Sequence, residues 1–303
     1  MSYYINGRQM REAFHLAAER LQKEEKRLNE LNLFPVADRD TGINMVLSMT
    51  KTSKALRADG TPFEIAEDAY LQLLEYGHGN SGNILTLFFE GFAYALPADA
   101  TEISGVQLAY AFQKGAENAV CGIADPKTGT ILSVAQQSAE AGISLAEVCE
   151  DAGRVFQRIT EESHAALLLT PLQNPVLRPF HVVDAGAFGF CLMLDGFLSS
   201  FKPEASIPSY SDLQLPDGPS AEETEPSYPF CTEFLLETFP SADRNALEAK
   251  LRRMGDCFIC AGTETLCKIH IHTSCPDQVL ETAEVFGTVR RRKIEDMRRI
   301  SMK

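Results

Sequence analysis

Residues 31–45 read LNLFPVADRDTGINM. Ahead of this stretch, Met10, Phe14, Ala17, Leu21 and Leu28 recur at helical spacing across residues 7–33. Behind it, a second helical run extends from Thr41 to about Leu56. The loop between the runs carries Asp38 and Asp40, one residue apart. Two like charges at a chain reversal make each other harder to ionise. A hard dication removes that penalty, because Mg²⁺ takes one or two carboxylates, keeps waters and bridges substrate phosphates. The plainer alternative is an aspartate that caps the second helix and does nothing else.

Working outward, the segment DGTPFEIAEDAYLQLLEYG opens with Thr61 as a cap, Pro62 at the first helical position and Glu64 closing a capping box. Further helices are expected over 81–96, 104–120, 130–142, 145–169 and 186–201. That makes eight helices with no convincing strand, so residues 1–201 are expected to form an all-α eight-helix antiparallel barrel. Residues 202–226 are rich in proline and acid, lack periodicity and read as an extended, solvated linker.

From residue 227 to 303 the period switches from helical to two. YPFCTEFLLE reads as a strand and SADRNALEAKLRRMG as a helix. DCFICAG and LCKIHIHT read as a hairpin, CPDQVLETAEVFG as a second helix and TVRRRKI as a last strand. The order βαββαβ predicts a small α+β ferredoxin-like domain.

Composition narrows the function. The chain has 303 residues, 45% of them hydrophobic, and a net charge of −14. That balance excludes a nucleic-acid-coating role, which needs a basic face. No apolar run reaches membrane-span length and the N-terminus lacks a signal-peptide core, so a cytoplasmic protein is expected, with its eight cysteines reduced.

Glycine- and aspartate-rich loops recur where the helices break: ADRDTGIN (37–44), GHGNSGN (77–83), DPKTGT (125–130) and VDAGAFG (183–189). Each precedes a helix, whose start offers N–H groups and a positive dipole end to phosphate. Each is also an ordinary cap or turn pattern when taken singly. In the second domain, period-two alternation puts His270 and His272 on one sheet face, beside Cys231 on the neighbouring strand. One Cys and two His make three Zn²⁺ ligands with an open fourth position, or an ordinary polar sheet face. Cys257 and Cys260 read as facing opposite ways and as structural. Cys121, Cys149 and Cys191 read as core, and His164 as having no companion.

The segments LNLFPVADRDTGINM, GHGNSGNILTLFFEGFA, GTILSVAQQSAEAG and PVLRPFHVVDAGAFGFCLMLDGF resemble the nucleotide-binding L-type domain of dihydroxyacetone kinases, and more closely the bacterial fatty acid kinase A protein. CTEFLLE and CKIHIHTSCPDQVLE resemble the middle domain of that kinase component. The resemblance implies a barrel that binds ATP with two Mg²⁺ ions. It also implies phosphoryl transfer to a carboxylate carried by a DegV-like lipid-binding partner or another substrate-carrying subunit. By match, Asp38 and Asp40 are the metal-binding aspartates, with Thr41 and Asn44 near the phosphates. Asn80, Ser81 and Gly82 match the phosphate-covering loop. Gly129 and Thr130 match a helix start near the nucleotide, and Asp184 and Gly186 the loop near base and ribose. Asn32 is a further candidate metal contact. Zinc at Cys231, His270 and His272 is likewise implied.

The chain departs from the family at four positions. Arg39 stands where the family has glycine, and His78 where it has arginine. Asp125 and Thr128 replace the usual lysine and glutamate. Arg39 either meets the aspartates or γ-phosphate, or points to solvent. The family continues into a further partner-binding domain, so a separate polypeptide is expected in that role. Three readings follow: a kinase subunit that acts on a fatty acid carboxylate, a dihydroxyacetone (glycerone) kinase-like subunit, and a degenerate ATP-binding adaptor that uses the zinc-bearing domain for homodimerisation or partner contact.

Overall fold

A computed structural model describes residues 3–216 and 227–298. The described chain divides into two units, the second taking in residues 121–126, where Ile123 bridges Ile259. The first unit is built from α1 (Gly7–Glu30), α2 (Thr41–Ala55), α3 (Pro62–Tyr76), α4 (Gly79–Tyr94), α5 (Gly105–Gly122), α6 (Ile131–Ala146), α7 (Ala152–Gln173) and α8 (Ala185–Phe201). Two short strands, β1 (Ile5–Asn6) and β2 (Glu102–Ile103), pair antiparallel at its edge, against the expectation of helices alone. The eight expected helices are present.

Local signals account for most helix starts. Asn6 and Gln9 form a reciprocal capping box on α1, and Thr61 and Glu64 another on α3. The break between α6 and α7 lies after Ala146, not at residues 143–144, and Asp151 caps α7 by accepting the Arg154 N–H at 2.9 Å. Gly142 sits inside α6 because its bare Cα faces Ile159 of α7, so it is a packing glycine and not a stop.

α8 is apolar on almost every side and buried from Ala185 to Phe201, as a helix surrounded by others must be. Gly196 brings it onto the backbone of α1 at Ala17, closing the array. Phe14, Phe89 and Phe197 meet at centroid distances of 4.9–6.0 Å, and Phe88 touches Phe112 and Phe190 at 5.1 and 5.3 Å. Such pairs add about 0.5–1.5 kcal/mol each beyond burial.

One polar group interrupts this helix. Asp195 is fully buried, its Oδ1 lies 2.9 Å from His164 Nε2, and its Oδ2 accepts the Tyr210 hydroxyl at 2.7 Å. His164 therefore has a companion. Tyr210 also lays its ring on Phe188, and Arg27 donates to the Leu213 carbonyl at 2.7 Å. The first half of the segment expected to be solvated is thus strapped onto the helices. Residues 217–226 of that segment, and 299–303, lie outside the described residues. Of the three cysteines expected in the core, only Cys191 is buried; Cys121 is exposed and Cys149 half-buried.

The second unit is β3 (Phe230–Thr238), α9 (Arg244–Leu251), β4 (Gly255–Gly262), β5 (Leu266–Thr273), α10 (Pro276–Glu284) and β6 (Gly287–Asp296). The sheet is antiparallel in the order β4-β5-β3-β6, the βαββαβ arrangement expected. One face, with Phe234, Leu236, Ile269 and Ile271, packs on Leu247, Leu251, Val279 and Ala283 of the helices. The opposite face carries Cys231, Glu233, His270 and His272. It is buried, not open as expected.

Candidate nucleotide rim and candidate metal centre

In an antiparallel array every even-numbered helix begins at the same end. The bonds between odd-helix ends and even-helix starts confirm this for the four glycine-aspartate loops. Asn32, just past α1, accepts the N–H groups of Asp40 and Thr41 at 3.1 and 2.9 Å and the Thr41 hydroxyl at 2.8 Å. Asn29 of α1 accepts from Gly42 and Ile43 N–H at 2.7 and 3.2 Å. Across the rim, Thr170 near the end of α7 accepts the Asp184 N–H at 3.0 Å.

These bonds correct the simplest anion argument. The first N–H groups of α2 are held by two asparagine side chains and do not await phosphate. Asn32 is an organiser of the loop, with its Nδ2 donating to Val36 at 2.9 Å, and not a metal ligand. The same bonds dispose of the plain reading of Asp40, which occupies the cap position of α2 but makes no side-chain bond to the helix start.

Asp40 faces Asp38 instead. Burial, the Asp40 charge and a hydrogen bond between the two carboxyls push the Asp38 carboxyl up to about 8. A pair that holds a proton near neutrality lacks a cation, and a dication fits its chemistry. Arg39, between them, is exposed and has φ +58. A non-glycine residue there costs about 1–2 kcal/mol, which is where a glycine would naturally stand.

One turn along α2, Asn44 is buried against Gly79, whose φ of +61 and closeness to the Asn44 amide leave no room for a side chain. Ser48, a turn further, accepts the His78 N–H at 3.0 Å. The aspartate loop is thereby joined to the start of α4. That start has no side-chain cap, and the Ser81 hydroxyl is buried without a hydrogen-bond partner. Among the four loops it is the one left open to an anion.

The other two helix starts are self-capped. Thr130 accepts the Leu132 N–H at 3.3 Å, and Gly129, at φ +67, lies against the Asn174 backbone N at 2.6 Å for a would-be Cβ. Asp184 accepts the Ala187 N–H at 2.8 Å and bonds the Ile131 N–H, tying α8 to α6. Burial pushes its carboxyl up to about 6 against the pull of those donors. Gly186 lies beside Ile131 at the same place.

In the second unit the register places Cys231 opposite His272 and Glu233 opposite His270. Cys231, His270 and His272 offer ligand atoms within 4.8 Å of one another. Cys231 Sγ lies 3.8 Å from His270 Nδ1, which also meets Glu233 Oε1 at 2.9 Å. His270 Nε2 is buried with no hydrogen-bond partner. Burial, helped by His270, drives the His272 imidazole down to about 3, leaving it neutral as a metal ligand must be. The residues fit a zinc ion. Cys257, by contrast, departs from expectation: with φ +50 at a bulge, it joins Asp256 and His272 in a second set of ligand atoms within 4.8 Å.

An eight-helix array with glycine-aspartate loops on one rim, followed by a ferredoxin-like unit with a Cys/His cluster, defines a two-part architecture. Residues 35–199 match the DAK2 domain, and residues 227–302 match the FakA-like middle domain of fatty acid kinases. The chain belongs to the DAK2 domain family. Protein YloV of Bacillus subtilis (strain 168) is 34% identical over 309 residues, 97% of this chain and 56% of that protein. An uncharacterized protein of Staphylococcus saprophyticus is 32% identical over 307 residues, 97% and 55% of the two chains. The chain therefore spans little more than half the length of these relatives. The native form of the dihydroxyacetone kinase of C. freundii shares the fold over 66% of this chain and 36% of its own, with a TM-score of 0.50 at 17% identity. No helix among the described residues is long and apolar enough to cross a membrane.

Proposed function

We propose that this chain is an ATP- and Mg²⁺-dependent kinase subunit, with residues 1–201 as the nucleotide barrel, 202–226 as a linker and 227–303 as a zinc-bearing domain. The observation that carries the reading is the Asp38/Asp40 pair, proton-sharing and joined through Asn44 to the open start of α4. Two Mg²⁺ ions, when bound, supply charge neutralisation to the phosphates. Asp38 and Asp40 hold them. The start of α4, with Asn80, Ser81 and Gly82, covers the β- and γ-phosphates, and Ser81 gives its unpartnered hydroxyl. Thr130 and Asp184 act through the backbone they fix, while Gly129 and Gly186 let base and ribose approach.

The acceptor is a fatty acid carboxylate presented by a DegV-like lipid-binding protein. Its oxygen attacks the γ-phosphorus, ADP leaves, and an acyl phosphate forms. Dihydroxyacetone presented by another subunit is the alternative acceptor. The test incubates the chain, Mg²⁺–ATP and a fatty-acid-loaded lipid-binding protein, then traps acyl phosphate as a hydroxamate. Hydroxamate formation that is lost in Asp38→Asn supports the reading, and failure to bind ATP in Mg²⁺ overturns it. A second reading, an ATP-binding adaptor, is favoured by Arg39 between the aspartates; nucleotide binding with no turnover for any acceptor would select it.

A further inference from the structure

Three ligands leave the zinc site open at its fourth position. The geometry of β4 closes it. Pairing between β4 and β5 runs from Asp256↔His272 to Ile259↔His270. One residue of β5, Ile271, therefore faces two of β4, Cys257 and Phe258. This is a β-bulge, and its extra residue is Cys257. Phe258 returns to the helix-facing core, with Ile271. Cys257 takes φ +50, a conformation that strains any residue with a Cβ.

The consequence is a thiol delivered to the histidine face. In a regular strand Cys257 would share the face of Ile271, opposite the histidines. Here its Sγ lies within 4.8 Å of a His272 ring nitrogen and an Asp256 oxygen. His272 thus belongs to two ligand sets at once, one with Cys231 and His270, the other with Asp256 and Cys257. Asp256 is the weaker ligand candidate: its side chain is 55% exposed, and its Oδ1 lies 3.6 Å from His272 Nδ1. That contact suits an outer carboxylate orienting the ring.

We propose that Cys257 is the fourth ligand, so that zinc is held by Cys231, Cys257, His270 and His272 in a closed site with no position for substrate. The inference rests on the zinc reading of the second domain. A tetrahedral ion with Zn–S of about 2.3 Å and Zn–N of about 2.0–2.1 Å sets S and N about 3.6 Å apart. Cys231 Sγ and His270 Nδ1 already stand 3.8 Å apart. Two thiolates and two neutral imidazoles neutralise Zn²⁺, which suits a buried face. The ion would cross-link three adjacent strands, β3, β5 and β4, and local backbone strain at the bulge is of the kind found at ligand clamps.

The test is X-ray absorption at the zinc edge on the full chain purified with Zn²⁺, repeated on Cys257→Ser and Cys260→Ala. Two sulfurs and two nitrogens are expected in the wild type and one sulfur in Cys257→Ser. Cys260→Ala, altered on the other face, keeps two. Zn²⁺ affinity in Cys257→Ser should fall by more than the roughly 10–100-fold that loss of an outer partner brings. Substitution with Co²⁺ gives an independent readout, since thiolate-to-cobalt absorption should halve in Cys257→Ser. Zinc bound by one sulfur in the wild type overturns the fourth ligand and leaves the three-ligand site standing. No zinc, or a Cys231–Cys257 disulfide in its place, overturns the zinc reading itself. The wild-type sulfur count decides even if a variant fails to fold.

Discussion

Binding of Mg²⁺–ATP should expel a proton from the Asp38/Asp40 pair. With the pair holding its shared proton up to about pH 8, roughly nine-tenths of the empty protein carries that proton at pH 7 and about one-tenth at pH 9. A dication cannot occupy both carboxylates while the proton remains. About 0.9 proton per site should therefore leave on binding at pH 7. Affinity should rise close to tenfold per pH unit below about 8 and level off above it. Calorimetry in buffers of differing ionisation enthalpy reads the released protons directly. Linkage gives the stability counterpart. A carboxyl whose folded value is raised favours the folded state at low pH, and that advantage is lost as pH climbs from about 4 to about 8. The metal-free protein should thus become less stable across that window, by up to about 1.4 kcal/mol per pH unit, and Asp38→Asn should flatten the slope. Affinity independent of pH between 6 and 9, with no proton released, would refute the coupled pair.

Three other perturbations follow from the geometry. Asn32→Ala removes the acceptor for Asp40 N–H, Thr41 N–H and Thr41 Oγ1, and should cost about 2–3 kcal/mol in denaturant unfolding; an unchanged midpoint would show that water replaces the amide. Arg39→Gly relieves the left-handed backbone and should stabilise by about 0.5–1 kcal/mol after the added flexibility of the unfolded chain, with Mg²⁺–ATP affinity unchanged because Arg39 is exposed; a lower melting temperature would contradict this. Tyr210→Phe leaves buried Asp195 with His164 alone and should cost about 1–3 kcal/mol, and limited proteolysis should then cut residues 203–216 faster than in the wild type.

Much of this was legible in the residues themselves. Thr61, Pro62 and Glu64 announce α3, and period-two alternation put His270 and His272 on one face because strand geometry alone dictates it. What escaped depends on contacts distant in sequence. Nothing at residues 29 and 32 shows that two asparagines will satisfy the first turn of the next helix, since an asparagine near a helix end reads equally well as a stop signal. Asp195 looked like a lone charge in an apolar run, and its partners His164 and Tyr210 lie 31 and 15 residues away. Cys257 was misplaced because alternation assumes a regular strand and a bulge shifts the phase by one. The α6–α7 break was misplaced because glycine serves equally for close packing and for termination.

The two asparagines at the end of α1 have a consequence beyond capping. By holding the Asp38–Thr41 turn before any ligand arrives, they spare binding the entropy of ordering that loop, a saving that otherwise reaches about 1–2 kcal/mol per backbone residue. The affinity of the rim for metal is then partly set by side chains that never touch it. Substitutions at Asn29 and Asn32 become a graded control on nucleotide affinity, weakening the site by loosening its frame while both aspartates remain in place.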